Sequence, residues 1–201
     1  MKLVMFDFDG VLVDTAELSF SISSKIYPGL KKETWRTWFY GNMYQVEEIK
    51  KDVHDGVPME ENPFFKVHGP LVREMSLIEG MKAMIEDLSS QTQLAVVSSG
   101  PAGAISDFLE RNGVADRFGD VLGAEADLLK TAKIKSLQAQ YSIDPAGSVL
   151  ITDTLGDIRE ASQTHTSAIG VTWGIHTREE LSRGTPSAIV DTVEELRNIL
   201  L

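Results

Sequence analysis

The run Leu3-Val4-Met5-Phe6-Asp7-Phe8-Asp9-Gly10 constrains this chain more than any other stretch. Apolar residues in near-continuous sequence read as a strand covered on both faces, the kind found in parallel sheets. Asp7 and Asp9 then stand where that strand leaves the core. Two residues apart on extended backbone, their carboxylates point the same way and repel, a conflict relieved by a cation or by a shared proton. Asp and Gly are also ordinary turn residues, so the stretch taken alone fits a plain exit into a turn equally well.

The rest of the chain repeats the signal. Buried-strand runs are expected at 93–97, 121–122, 148–152, 167–173 and 187–190, alternating with helical periodicity at 81–88, around Ile105, Phe108 and Leu109, and at 130–141, 158–162 and 193–201. Alternating strands and helices with doubly apolar strands predict an α/β fold, a doubly wound, Rossmann-like parallel sheet. Between Gly10 and Gly80 no strand signal appears. Asp14-Thr15-Ala16-Glu17 reads as a capped helix start, followed by Leu18, Ile22 and Ile26. Trp35, Trp38 and Phe39, then Val46, Ile49 and Val53, keep helical spacing, and the prolines of Asn62-Pro63 and Gly69-Pro70 predict broken helical pieces over 63–76. The expected division is a catalytic core of 1–14 and 79–201 with a helical cap, 15–78, inserted after the first strand.

Composition narrows the chemistry. Thirty acidic against nineteen basic residues give a formal charge of -11, which repels a phosphate backbone and disfavours nucleic acid as a partner. With no cysteine, thiolate nucleophiles, thiolate metal sites and disulfides are excluded. The first apolar run is broken by Asp7 and Asp9 too early for a signal segment or a membrane span, so cytoplasmic residence without a membrane partner is the expectation.

The residues that follow the buried strands form one set: Asp7 and Asp9 after the first, Ser98 and Ser99 after the second, and Asp153-Thr154-Leu155-Gly156-Asp157 after the fourth. Ligands of doubly wound sheets sit at such strand ends. Lys130, Lys133 and Lys135 open the helix that precedes the fourth strand. Oxygen donors without histidine or cysteine suit magnesium, which takes few carboxylates, several waters and a substrate phosphate. Each piece also has a plainer use: Ser98-Ser99 as a helix N-cap, Asp157 as a first-turn acid facing the helix dipole, and the lysines as a solvated face.

Taken in order, Asp7-Phe8-Asp9-Gly10-Val11, Ser98, Lys130 and Asp153-Thr154-Leu155-Gly156-Asp157 resemble the four motifs of the haloacid dehalogenase-like superfamily. Val171-Thr172-Trp173-Gly174-Ile175-His176 and Glu179-Glu180-Leu181 are similar to the tail of its phosphoglycolate phosphatase-like branch. Glu79-Gly80 departs from the Pro-Gly often found there, and Lys130 lacks the proline that frequently follows it.

The resemblance implies an Mg2+-dependent hydrolase acting on a small phosphorylated metabolite through an aspartyl-phosphate on Asp7. It further implies Asp9 as acid and base, Ser98, Ser99 and Lys130 on the phosphate, and Asp7, Asp9, Asp153 and Asp157 around the metal. A phosphomutase would use the same intermediate. A non-catalytic binding protein on this fold would instead use Trp35, Trp38, Phe39 and Tyr40 as an exposed contact surface.

Geometry separates the three lysines. On the helix marked by Ile134, Leu137 and Tyr141, only Lys130 falls on the inward side, with Lys133 and Lys135 expected outside it. Arg36, Lys50, Lys51, His54, His68 and Arg73 of the cap are available to a second anionic group on the substrate, although solvated surface is the commoner fate of such residues.

Overall fold

The computed structural model describes residues 3–53 and 57–201. Six strands, β1 (Leu3–Phe6), β2 (Gln93–Val97), β3 (Asp120–Leu122), β4 (Ser148–Thr152), β5 (Ser167–Val171) and β6 (Ala188–Val190), form one sheet in the order β3-β2-β1-β4-β5-β6. Every pairing is parallel, with Met5 opposite Ala95 on one side and Leu150 on the other.

Strand alternation splits the core into two layers, which is why these strands are apolar throughout. Val4, Phe6, Leu94, Val96, Val149 and Ile151 face one layer; Leu3, Met5, Ala95, Val97 and Leu150 face the other. Helices α5 (Met81–Ser89), α6 (Ala102–Arg111) and α10 (Val193–Leu200) cover the first layer. Helices α7 (Lys130–Tyr141), α8 (Leu155–Gln163) and α9 (Arg178–Ser182) cover the second. The doubly wound α/β arrangement expected from the sequence is the one observed. Strand order reverses between β1 and β4, and the crevice at their carboxyl ends is where such folds bind ligands.

The segment between β1 and α5 is helical: α1 (Ala16–Ile26), α2 (Lys32–Thr37), α3 (Glu47–Lys50) and α4 (Pro63–Arg73), with short 3-10 turns between them. Three expectations are corrected here. First, α4 runs unbroken through Gly69-Pro70. Pro70 lies on the exposed side, where water can serve the carbonyl that loses its partner.

Second, the helix expected across Val46–Val53 is a single turn, 47–50. Third, Trp35 and Trp38 are not a contact surface: they are 1% and 8% exposed. With Tyr44 and Ile49 they form the segment's own core, because a large apolar stripe gains most by burial against its neighbours. Among the described residues no helix is long and apolar enough to cross a membrane.

Candidate active site

Asp7 continues the β1 ladder by donating its N–H to Ile151 O at 2.9 Å. Its own carboxylate is 7% exposed as a residue and doubly bound: Oδ1 accepts from Phe8 N at 2.7 Å and Oδ2 from Lys130 Nζ at 2.7 Å. Burial pushes its pKa well above the ordinary value, Lys130 pulls it back, and Asp157 and Asp153 add to the rise.

Lys130, at the first position of α7, reaches Asp157 Oδ2 at 2.7 Å with the same ammonium. Burial opposes that charge, but Asp157 and Asp7 hold the lysine above its usual pKa. Breaking one side of a buried pair of this kind costs about 3–5 kcal/mol. Asp157 sits in the first turn of α8, whose N-cap Thr154 accepts the Asp157 N–H, and its Oδ2 also accepts from Thr152 Oγ1 at 2.7 Å. Its pKa is raised by burial and lowered further by Lys130, leaving it below normal. A first-turn acid and a partner for Lys130 are therefore the same residue.

Asp153 follows β4 and is fully buried. One oxygen, Oδ2, accepts from Ile175 N at 2.7 Å; the other, Oδ1, has no hydrogen-bond partner. Burial raises its pKa to about 7. The space around it is made by glycine. Gly10, at φ +71°, and Gly174 both come so close that a Cβ on either would lie 2.2 Å from Asp153 Oδ2. An unpartnered carboxylate oxygen beside the carboxylate of Asp7 is a donor set for a hard cation.

Asp9 is held from the helical segment. Thr15, the residue before α1, spends its hydroxyl on Asp9 Oδ1 at 2.8 Å instead of capping the helix. His68 of α4 brings Nε2 to 3.1 Å from the same oxygen and 3.4 Å from Ser19 Oγ. Burial pushes the Asp9 pKa up, but His68 and Thr15 together bring it below normal. His68 is 4% exposed and stacks on Phe64. The expectation of a solvated histidine is thus corrected, since the ring is buried against a carboxylate that the sequence leaves far away. The sequence signal available was its place on the face of α4 that also buries Phe65 and Val72.

Ser98 is buried, and its Oγ accepts from Gly100 N at 3.0 Å. It does not cap α6, whose N-cap position is Pro101. A second correction concerns Lys133, which is 1% exposed and as inward as Lys130. Its ammonium donates to Ser98 O at 2.5 Å and Gly123 O at 3.2 Å, and burial beside Lys130 lowers its pKa to about 8. The inward sector is wider than the apolar stripe predicted because two carbonyls at the end of the sheet accept the charge. Lys135 is exposed.

Asp7, Asp9, Ser98, Ser99, Lys130, Asp153 and Asp157 all line one cavity of about 110 Å³. The helical segment closes it from the other side. Tyr44 OH donates to Ser99 O; Asn42 Nδ2 donates to Glu160 Oε1 at 2.8 Å and Leu128 O at 2.9 Å. Arg36 pairs with Glu180, which also accepts from Tyr40 OH at 2.9 Å. Buried His176 accepts from Leu155 N through Nδ1 and donates to Arg36 O through Nε2.

The sequence profile of the haloacid dehalogenase-like hydrolases matches residues 4–171. The chain is similar to a phosphoglycolate phosphatase from Synechococcus elongatus, 25% identical over 202 residues and covering 98% of this chain and 95% of that one. A phosphoglycolate phosphatase from Vibrio parahaemolyticus is 24% identical over 220 residues, covering 100% and 96%. In fold, it resembles a haloacid dehalogenase-like family hydrolase from Streptococcus pneumoniae with a TM-score of 0.77 at 19% identity, covering 100% and 99% of the two chains.

Proposed function

The chain belongs to the haloacid dehalogenase-like hydrolase family, and on that premise we propose that it is a magnesium-dependent phosphatase of small phosphomonoesters. The observation that carries the reading is the strand-end cluster: Lys130 clamped between Asp7 and Asp157, opposite the orphaned oxygen of Asp153. Asp7 and Asp153 would hold the ion. Bound there, it would offset negative charge on the phosphoryl oxygens as the nucleophile approaches.

In this reading the Asp7 carboxylate attacks phosphorus, the ester P–O bond breaks, and an aspartyl-phosphate forms. Lys130 offsets part of the burial that disfavours the Asp7 carboxylate and turns its ammonium toward the equatorial oxygens, where charge gathers in a loose transition state. Ser98 and Ser99 hold the same oxygens. Asp9, ionised in the free site, passes to the departing alkoxide the proton that the monoanionic phosphate ester brings in, then takes one from the water that cleaves the intermediate. Thr15 and His68 fix the Asp9 carboxylate for both steps, and Asp157 keeps Lys130 in place. Residues 15–78 act as the cap over a core of 1–14 and 79–201, enclosing the reaction away from bulk water.

The test is hydrolysis of p-nitrophenyl phosphate with added magnesium and again after chelation. Turnover that needs the metal is the expected result; no release of nitrophenolate under either condition would overturn the proposal.

A further inference from the structure

The cavity has a second wall, and that wall bears on which ester the protein takes. Opposite the strand ends it is lined largely by aromatic side chains of the helical segment, Trp35, Trp38, Phe39, Tyr44, Phe64 and Phe65, with the neutral polar side chains of Ser19, Ser23, Asn42 and Asn62 among them. Among the described residues that line the cavity, the only cation is Lys130, already shared between Asp7 and Asp157. The other charged groups there are carboxylates, including Asp52, which accepts from Tyr27 OH, and Glu160, which accepts from Asn42.

None of the described cations of the helical segment lines the cavity. Arg36 is paired with Glu180, Lys50 with Glu47, Lys66 with Glu61 and Arg73 with Asp107. His68 is turned to Asp9, and Lys51 is exposed. His54 lies outside the described residues.

A carboxylate on the alcohol half of a substrate would leave water for aromatic walls and for Asp52, with no counter-charge to replace its hydration. An apolar group in the same place gains from being covered. At about 110 Å³ the cavity is smaller than the ~300–1,000 Å³ of sites for drug-sized ligands, so the alcohol is small.

Resting on the phosphatase reading, we infer that the substrate is the phosphomonoester of a small, uncharged, largely apolar alcohol, and that esters bearing a second anion are excluded by this wall. The substrate named for the Synechococcus and Vibrio relatives, phosphoglycolate, carries such a carboxylate. This chain therefore differs from them in the half of the substrate that leaves.

Steady-state kinetics on the full chain with magnesium test this with a matched pair. Isobutyl phosphate has the shape of phosphoglycolate with two methyl groups in place of the carboxylate oxygens, and p-nitrophenyl phosphate serves as the control. The expected kcat/KM for isobutyl phosphate exceeds that for phosphoglycolate by about 10-fold or more, the size of effect that one misplaced group in a fitted pocket produces. Equal or better use of phosphoglycolate would overturn the inference and leave the phosphatase reading standing. So would hydrolysis of p-nitrophenyl phosphate with neither alkyl ester turned over. Failure on all three removes both.

Discussion

The two walls of the cavity are made in opposite ways. At the strand ends every functional group is charged or hydroxylic, and each is fixed by a neighbour: Asp7 by Lys130, Lys130 by Asp157, Asp157 by Thr152. Across from it, Trp35, Trp38 and Phe39 are fixed by packing, edge to face with Tyr27 and with one another. The first wall is suited to what all phosphomonoesters share, the phosphoryl group. The second is suited to what distinguishes them. His68 and Thr15 tie the two together, because both reach across to Asp9.

If that division holds, damage to the strand-end wall destroys chemistry whichever ester is offered. Asp7→Asn is expected to fold and to lose several orders of magnitude in kcat on every substrate, since an amide cannot attack phosphorus; circular dichroism and a rate assay check the two halves. Lys130→Ala should cost ~10²–10³ in kcat, the usual effect of removing one pre-placed donor to transition-state charge.

Lys133→Met sharpens the contrast within one helix. It leaves Ser98 O and Gly123 O without their ammonium donor, slackens the turn that carries Ser98, and is expected to raise KM by about 10-fold with less effect on kcat. A variant as dead as Lys130→Ala would mean that Lys133 also meets the phosphate.

His68→Ala probes the tie between the walls. Loss of about 10-fold is expected on isobutyl phosphate, which needs a proton at departure, and little loss on p-nitrophenyl phosphate, which does not. His68→Asn, which retains a donor, should recover part of it; equal loss on both esters would show that His68 only supports the fold.

The smallest effect is on stability. An unfolded aspartate releases its proton near 3.8 and folded Asp153 near 7, so between those values the unfolded chain binds fewer protons. The contribution of Asp153 to metal-free stability is therefore full below about 3.8 and is lost as pH rises through about 7. Melting curves across that window should show a decline that Asp153→Asn flattens and magnesium reverses. A slope unchanged in Asp153→Asn would contradict the raised pKa.

The strand-end wall was legible because its signals are local. An apolar run followed by Asp7 and Asp9, or by Asp153, announces a buried strand and what stands at its end. Lys130 was marked both by its place in the ordered motifs and by the helical period. Lys133 was missed because the groups that satisfy it are backbone carbonyls, which leave no mark in a sequence. His68 was missed for a related reason: its partner Asp9 is brought to it only when α4 folds back over β1. The aromatic residues of the second wall were visible, but whether such a stripe faces water or its own core is decided by tertiary packing.

The central claim is that Asp7 is the nucleophile. Quenching the enzyme with borohydride during turnover of p-nitrophenyl phosphate reduces an acyl phosphate to an alcohol, converting the aspartate that carries it to homoserine, which peptide mass mapping locates. Homoserine at residue 7, absent without substrate, is the expected result. Homoserine at another aspartate, or none while turnover proceeds, would contradict it.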